Sequence, residues 1–115
     1  GTVLAFGSDC PVEAPDPLLG LHAAVTRRRA DGSPGPEGWY PEERLTAERA
    51  VRGFTWGPAY AAGKEDRLGS LTPGKLADVT ILDRDILALP PMEILQVRVL
   101  GTIVGGRFAW RDGLL

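Results

Sequence analysis

Three side chains near the amino end are of types that can do chemistry: Asp9, Cys10 and His22. Asp9 follows Ser8 where the apolar run Thr2–Phe6 gives out. A carboxylate at the carboxyl end of a buried parallel strand stands where α/β barrels place catalytic groups. There it can ligate a divalent metal or take a proton from a metal-bound water, and both roles need an ionised, fixed oxygen. By spacing alone Asp9 equally reads as the cap of a turn before Pro11. Cys10 is the only cysteine, which excludes an internal disulfide and a multi-cysteine zinc site. It reads either as a thiolate ligand or as a small packed side chain. His22 is the only histidine, so the chain holds no self-contained multi-histidine site. Its place beside Leu18, Leu21 and Val25 favours a packed or half-exposed ring. No nucleophile elbow, phosphate loop, dinucleotide fingerprint or paired-cysteine motif is present.

The elements that would position these residues follow from local pattern. Thr2–Phe6 reads as a short strand covered on both faces, closed by Gly7-Ser8-Asp9. Asp16-Pro17 opens a helix, with Asp16 as cap and Pro17 at its first position. Leu18, Leu21 and Val25 form its buried stripe, and Arg27, Arg28 and Arg29 are expected in its last turn. Residues 30–43 hold three prolines and three glycines and read as a long loop, with Trp39-Tyr40 either pinning it or lining a substrate mouth. Thr46 caps a second helix with stripe Ala47, Ala50, Val51 and Phe54, and Gly53 favours a break near its end. Thr55 starts a third helix, closed by Gly63. Pro73-Gly74 suits a type II turn. Asp78–Asp83 reads as a strand, Asp85–Met92 as a linker, and Val97–Val104 with Arg107–Trp110 as a hairpin about Gly105-Gly106. A boundary near 67–71 divides a helical part from a β part.

Composition narrows the partners. The chain has 115 residues, 15 glycines and 10 prolines, 43% hydrophobic and 24% charged residues and a net charge of −2. This is a globular balance with abundant turns, and it points to neither a nucleic-acid partner nor an anionic membrane. No apolar run is long enough to span a bilayer and no signal peptide opens the chain, so the expected location is the cytoplasm. The only methionine is Met92 and the chain opens on what reads as a strand already under way, so the expectation is a piece of a longer protein.

Phe6-Gly7-Ser8-Asp9-Cys10-Pro11-Val12, Asp16-Pro17-Leu18 and Ala23-Ala24-Val25-Thr26-Arg27 resemble the last barrel segment of the metal-dependent amidohydrolase superfamily, nearest to its amidohydrolase family 3 (YtcJ-like) branch. The run Glu65–Val79, with its G-S-L-T-P-G-K-L-A-D core, is similar to the family's return into a small β domain, and Thr102–Arg107 to its closing hairpin. The resemblance implies a mixed α/β fold: the last strand and helices of a TIM-type barrel over 1–68, then C-terminal strands of a small β-sandwich over 69–115. It implies one or two divalent metals, zinc foremost, in a parent enzyme that cleaves amide or formamide C–N bonds of small molecules with metal-activated water. Asp9 matches the aspartate after the eighth strand, which contacts metal or the hydrolytic water and moves a proton. The family's His-x-His pair, mid-barrel lysine or acid and later histidines have no counterpart here, so the isolated chain is expected to be inactive and to hold no metal. Its unpaired strand edges are expected to recruit a second copy. Two other readings stand beside this one: a free-standing α+β interaction or regulatory module, and a noncatalytic family member.

Overall fold

In the computed structural model, which describes residues 1–115, the first helix, α1, runs Pro17–Thr26. Its start is as predicted: the Asp16 carboxylate accepts the Leu18 N–H at 2.9 Å and Pro17 occupies the first position. Leu18, Leu21, His22, Val25 and Thr26 face inward. The arginines do not fall in the last turn. Thr26 Oγ1 donates to the His22 carbonyl at 2.7 Å and accepts the Arg28 N–H at 3.1 Å, and Arg27 leaves the helix with φ 57. Arg27 instead holds the following loop: its guanidinium lies 5.1 Å from the Trp39 ring centre and its Nε donates to the Trp39 carbonyl at 2.9 Å. Trp39 and Tyr40 meet edge to face at 4.8 Å. The aromatic pair therefore pins the loop 30–43 against the end of α1, and the loop closes in a 3-10 turn, Pro41–Glu43.

Thr46 caps α2, Ala47–Phe54, by accepting the Arg49 N–H at 3.3 Å, and Ala50 is fully buried beneath it. The expected break follows Gly53 by one residue, where the helix ends at Phe54. The third helix, α3, is Trp56–Ala61, and Gly63 with φ 62 ends it. Thr55 stands at the start of α3 without a side-chain cap; its hydroxyl donates back to the Val51 carbonyl at 2.8 Å.

The β part is a three-stranded antiparallel sheet in the order β1 (Val79–Leu82), β2 (Val99–Val104), β3 (Arg107–Arg111). Val79 pairs with Ile103 and Val104 with Arg107. Gly105 and Gly106 turn the hairpin at φ 57 and 80, the left-handed angles that a two-residue primed turn requires. The Asp78 carboxylate accepts the Gly105 N–H at 2.7 Å and fastens this turn to the start of β1. Gly74, at φ 93, makes the Pro73-Gly74 turn as expected, with the Lys75 N–H donating to the Thr72 carbonyl at 3.2 Å.

Two further expectations need correction. Thr2–Phe6 belongs to no sheet, because a strand needs a neighbour and this chain offers none; Val3 and Leu4 stay 40% and 38% exposed. The Asp85–Met92 linker is also more than a linker. Ile86 is buried, and the 3-10 turn Pro91–Gln96 drives Ile94 to 1% exposure. Ile86, Ile94 and Val97 pack with Leu18, Leu21, Val25 and Ala50 into one core, so the first two helices and the segment before β2 enclose a common apolar centre, with Leu82 of β1 packed against it.

Candidate active site

Asp9 sits in an exposed turn at φ 54, and its carbonyl accepts the Val12 N–H at 2.8 Å. Only the short Asn and Asp side chains visit this left-handed region with any ease, so the residue type fits the turn as well as the chemistry. The carboxylate makes no hydrogen bond within this chain and is free to meet a cation or a proton donor. Cys10, next to it, is exposed and unpaired.

His22 lies elsewhere. It is 1% exposed on the inner face of α1, and its Nε2 has no hydrogen-bond partner. Burial holds its pKa below the usual imidazole value and the neighbouring Arg28 lowers it further, so the ring is neutral at pH 7. The packed outcome thus holds over the half-exposed one. A cleft of about 640 Å³ runs beside it, lined in part by Ser8, Glu13, Asp16, His22 and Arg28. The structure brings Ser8 and His22 to one cleft and leaves Asp9 and Cys10 on the turn outside it. A second cavity of about 620 Å³ between the helices and the sheet is largely apolar, and Asp78 is its only titratable lining group.

No three histidine, cysteine, aspartate or glutamate side chains converge on a point that could hold a metal ion. Asp9 fits such an ion as one oxygen donor, and it belongs to no cluster of three donors in this chain.

A contact between residues far apart in the chain lies just before the Asp9 turn. The Phe6 N–H donates to the Gly53 carbonyl at 2.8 Å, and the Phe6 ring packs against Phe54 with centres 5.3 Å apart. The signal was a glycine inside an otherwise regular helical stripe.

Set against known proteins, residues 1–109 match the sequence profile of the amidohydrolase family, a span covering the Asp9 turn, all three helices and most of the sheet. This chain belongs to the amidohydrolase family. Amidohydrolases are hydrolases and in general metal-dependent. The chain is 33% identical over 110 residues to YtcJ of Bacillus subtilis (strain 168), named for the amidohydrolases, spanning 96% of this chain and 21% of that protein. It is 34% identical over 106 residues to the N-substituted formamide deformylase of Arthrobacter pascens, spanning 92% of this chain and 19% of the enzyme. The fold agrees with the crystal structure of an amidohydrolase from Thermotoga maritima MSB8, at a TM-score of 0.70 and 22% identity over 97% of this chain and 24% of that one. The chain therefore spans about a fifth of the length of the curated relatives it matches. No helix is long and apolar enough to cross a membrane.

Proposed function

We propose that this chain is the carboxy-terminal part of a metal-dependent amidohydrolase that cleaves the C–N bond of a small amide or formamide, with Asp9 as its contribution to the reacting centre. The family match across residues 1–109 supports this reading, since one continuous alignment carries both the Asp9 turn and the sheet. Residues 1–68 belong, on this reading, to the barrel, and 69–115 to a small β-sandwich whose other strands lie earlier in the sequence. The enzyme works in the cytoplasm.

Asp9 would be one oxygen ligand of a divalent ion, zinc foremost, whose chemistry when bound is to polarise the scissile carbonyl and acidify water. The carboxylate itself does the proton work. It accepts the proton of the attacking water and then delivers it to the departing nitrogen, which cannot leave as an anion. The exposed, left-handed turn lets one carboxylate serve both steps, because its oxygens are committed to no partner within the chain. The formamide deformylase among the relatives supports an amide-type substrate.

The test is metal content and hydrolysis of an N-substituted formamide, measured on the full-length protein and on the 115-residue chain side by side. The full-length protein is expected to hold a divalent ion and release formate, and the short chain to do neither. Stoichiometric metal and turnover in the short chain would refute the proposal.

A further inference from the structure

We propose that Gly53 and Gly57 form a notch that positions the Asp9 turn, and that their lack of a side chain is a requirement of the reaction centre rather than of the helices. The inference rests on the reading of Asp9 given above. Gly53 lies within α2 and Gly57 within α3, and both are buried. Neither has a left-handed φ, so the backbone conformation does not call for glycine at either place. Alanine would favour both helices more, since glycine loses more freedom on becoming helical.

What glycine supplies here is space. A Cβ on Gly57 would overlap the Leu4 carbonyl oxygen and stand 3.0 Å from the Leu4 carbonyl carbon and 3.3 Å from Ala5 Cα. A Cβ on Gly53 would stand 2.6 Å from Cδ2 of the Phe6 ring. The first obstacle is backbone, which cannot swing aside as a side chain can. Leu4–Phe6 thus lies directly on the two helices. Phe6 N–H to Gly53 carbonyl, at 2.8 Å, is the only backbone hydrogen bond that residues 1–8 make. Only Gly7 and Ser8 separate Phe6 from Asp9, so a shift of the docked segment passes to the carboxylate with little slack between. A misplacement of about 1 Å at a reacting group is enough to cost on the order of 10²-fold in rate.

The experiment makes Gly57→Ala, Gly53→Ala and the double variant Gly53→Ala/Phe6→Ala in the full-length protein. Hydrogen exchange is followed in the peptide spanning 3–9, and kcat and KM are measured for an N-substituted formamide. Gly57→Ala is expected to speed exchange in that peptide and to lower kcat on the order of 10²-fold with KM little changed. A loss of general stability alone would reduce the amount of active enzyme and raise exchange throughout the protein, not in 3–9 selectively. If Gly57→Ala does not fold, the second pair decides: Gly53→Ala lowers kcat, and removing the Phe6 ring restores part of it. Unchanged exchange, unchanged kcat in Gly57→Ala, or no recovery in the double variant overturns the notch. If Asp9→Asn hydrolyses as well as the wild type, the reading of Asp9 fails, and the exchange measurement alone then decides whether the notch holds the segment.

Discussion

His22 shows how one buried residue couples the fold to pH. Its ring is buried on the inner face of α1 with an unpartnered Nε2, and burial followed by Arg28 pushes its pKa below 6.5. The unfolded chain binds a proton near pH 6.5 that the folded chain refuses, so stability is full above that value and falls as pH drops through it. His22→Leu, which suits the apolar stripe, is expected to flatten this slope. Urea unfolding of both proteins at pH 7.5 and 5.5 checks it, and an equal acid loss in the two would remove His22 as the cause. Asp83 acts in the opposite charge sense with the same sign. Its carboxylate accepts the Arg98 backbone N–H at 2.8 Å and the Arg98 Nε–H at 3.0 Å, which holds its pKa below 3.8. That contribution is present above pH 3.8 and is lost as pH falls below it.

At the scale of the element, caps and turns were legible in the sequence because each depends on one or two local residues. Asp16, Thr46, Pro73-Gly74 and Gly105-Gly106 all act where their types predict. Asp16→Ala is expected to cost about 1 kcal/mol in stability, read as a lower denaturation midpoint. The run around Gly69–Lys75 was legible as a turn but not as a clamp. Lys75 Nζ donates to the carbonyls of Glu65 and Leu68, the latter at 3.3 Å, and so ties the turn back to the end of the helical part. What local pattern missed depends on distant partners. Thr2–Phe6 has the composition of a strand, yet hydrogen-bond ladders are made by neighbours, and none is present in the chain. Asp85–Met92 has the prolines of a linker, yet Ile86 and Ile94 are pulled inward by α1. Arg27 was legible as helix-end charge, but its stacking on Trp39 across twelve residues was not. Of the candidate site, the turn at Asp9 was legible in Gly7-Ser8-Asp9 and Pro11, and the hydrogen bond from Phe6 to Gly53, far along the chain, was not.

Across the whole molecule, one core joins the helices to the segment before β2, and Ile94 is its most enclosed large side chain. Ile94→Ala is expected to destabilise the protein by about 2–5 kcal/mol, measurable by chemical denaturation; a loss under 1 kcal/mol would show that this centre collapses without penalty. The sheet order leaves β1 and β3 each with one open edge, and every residue of β3 is exposed. Open edges pair with other strands. The 115-residue chain is therefore expected to associate in light scattering as its concentration rises, and a constant monomer mass would contradict this. The same exposure extends to the Asp9 turn, whose carboxylate meets no partner in the chain. The most direct test of the central claim is Asp9→Asn in the full-length protein, assayed for hydrolysis of an N-substituted formamide. The proposed proton-transfer role of Asp9 predicts a fall in kcat on the order of 10²–10⁴-fold with the fold intact, and a rate near that of the wild type would contradict the account.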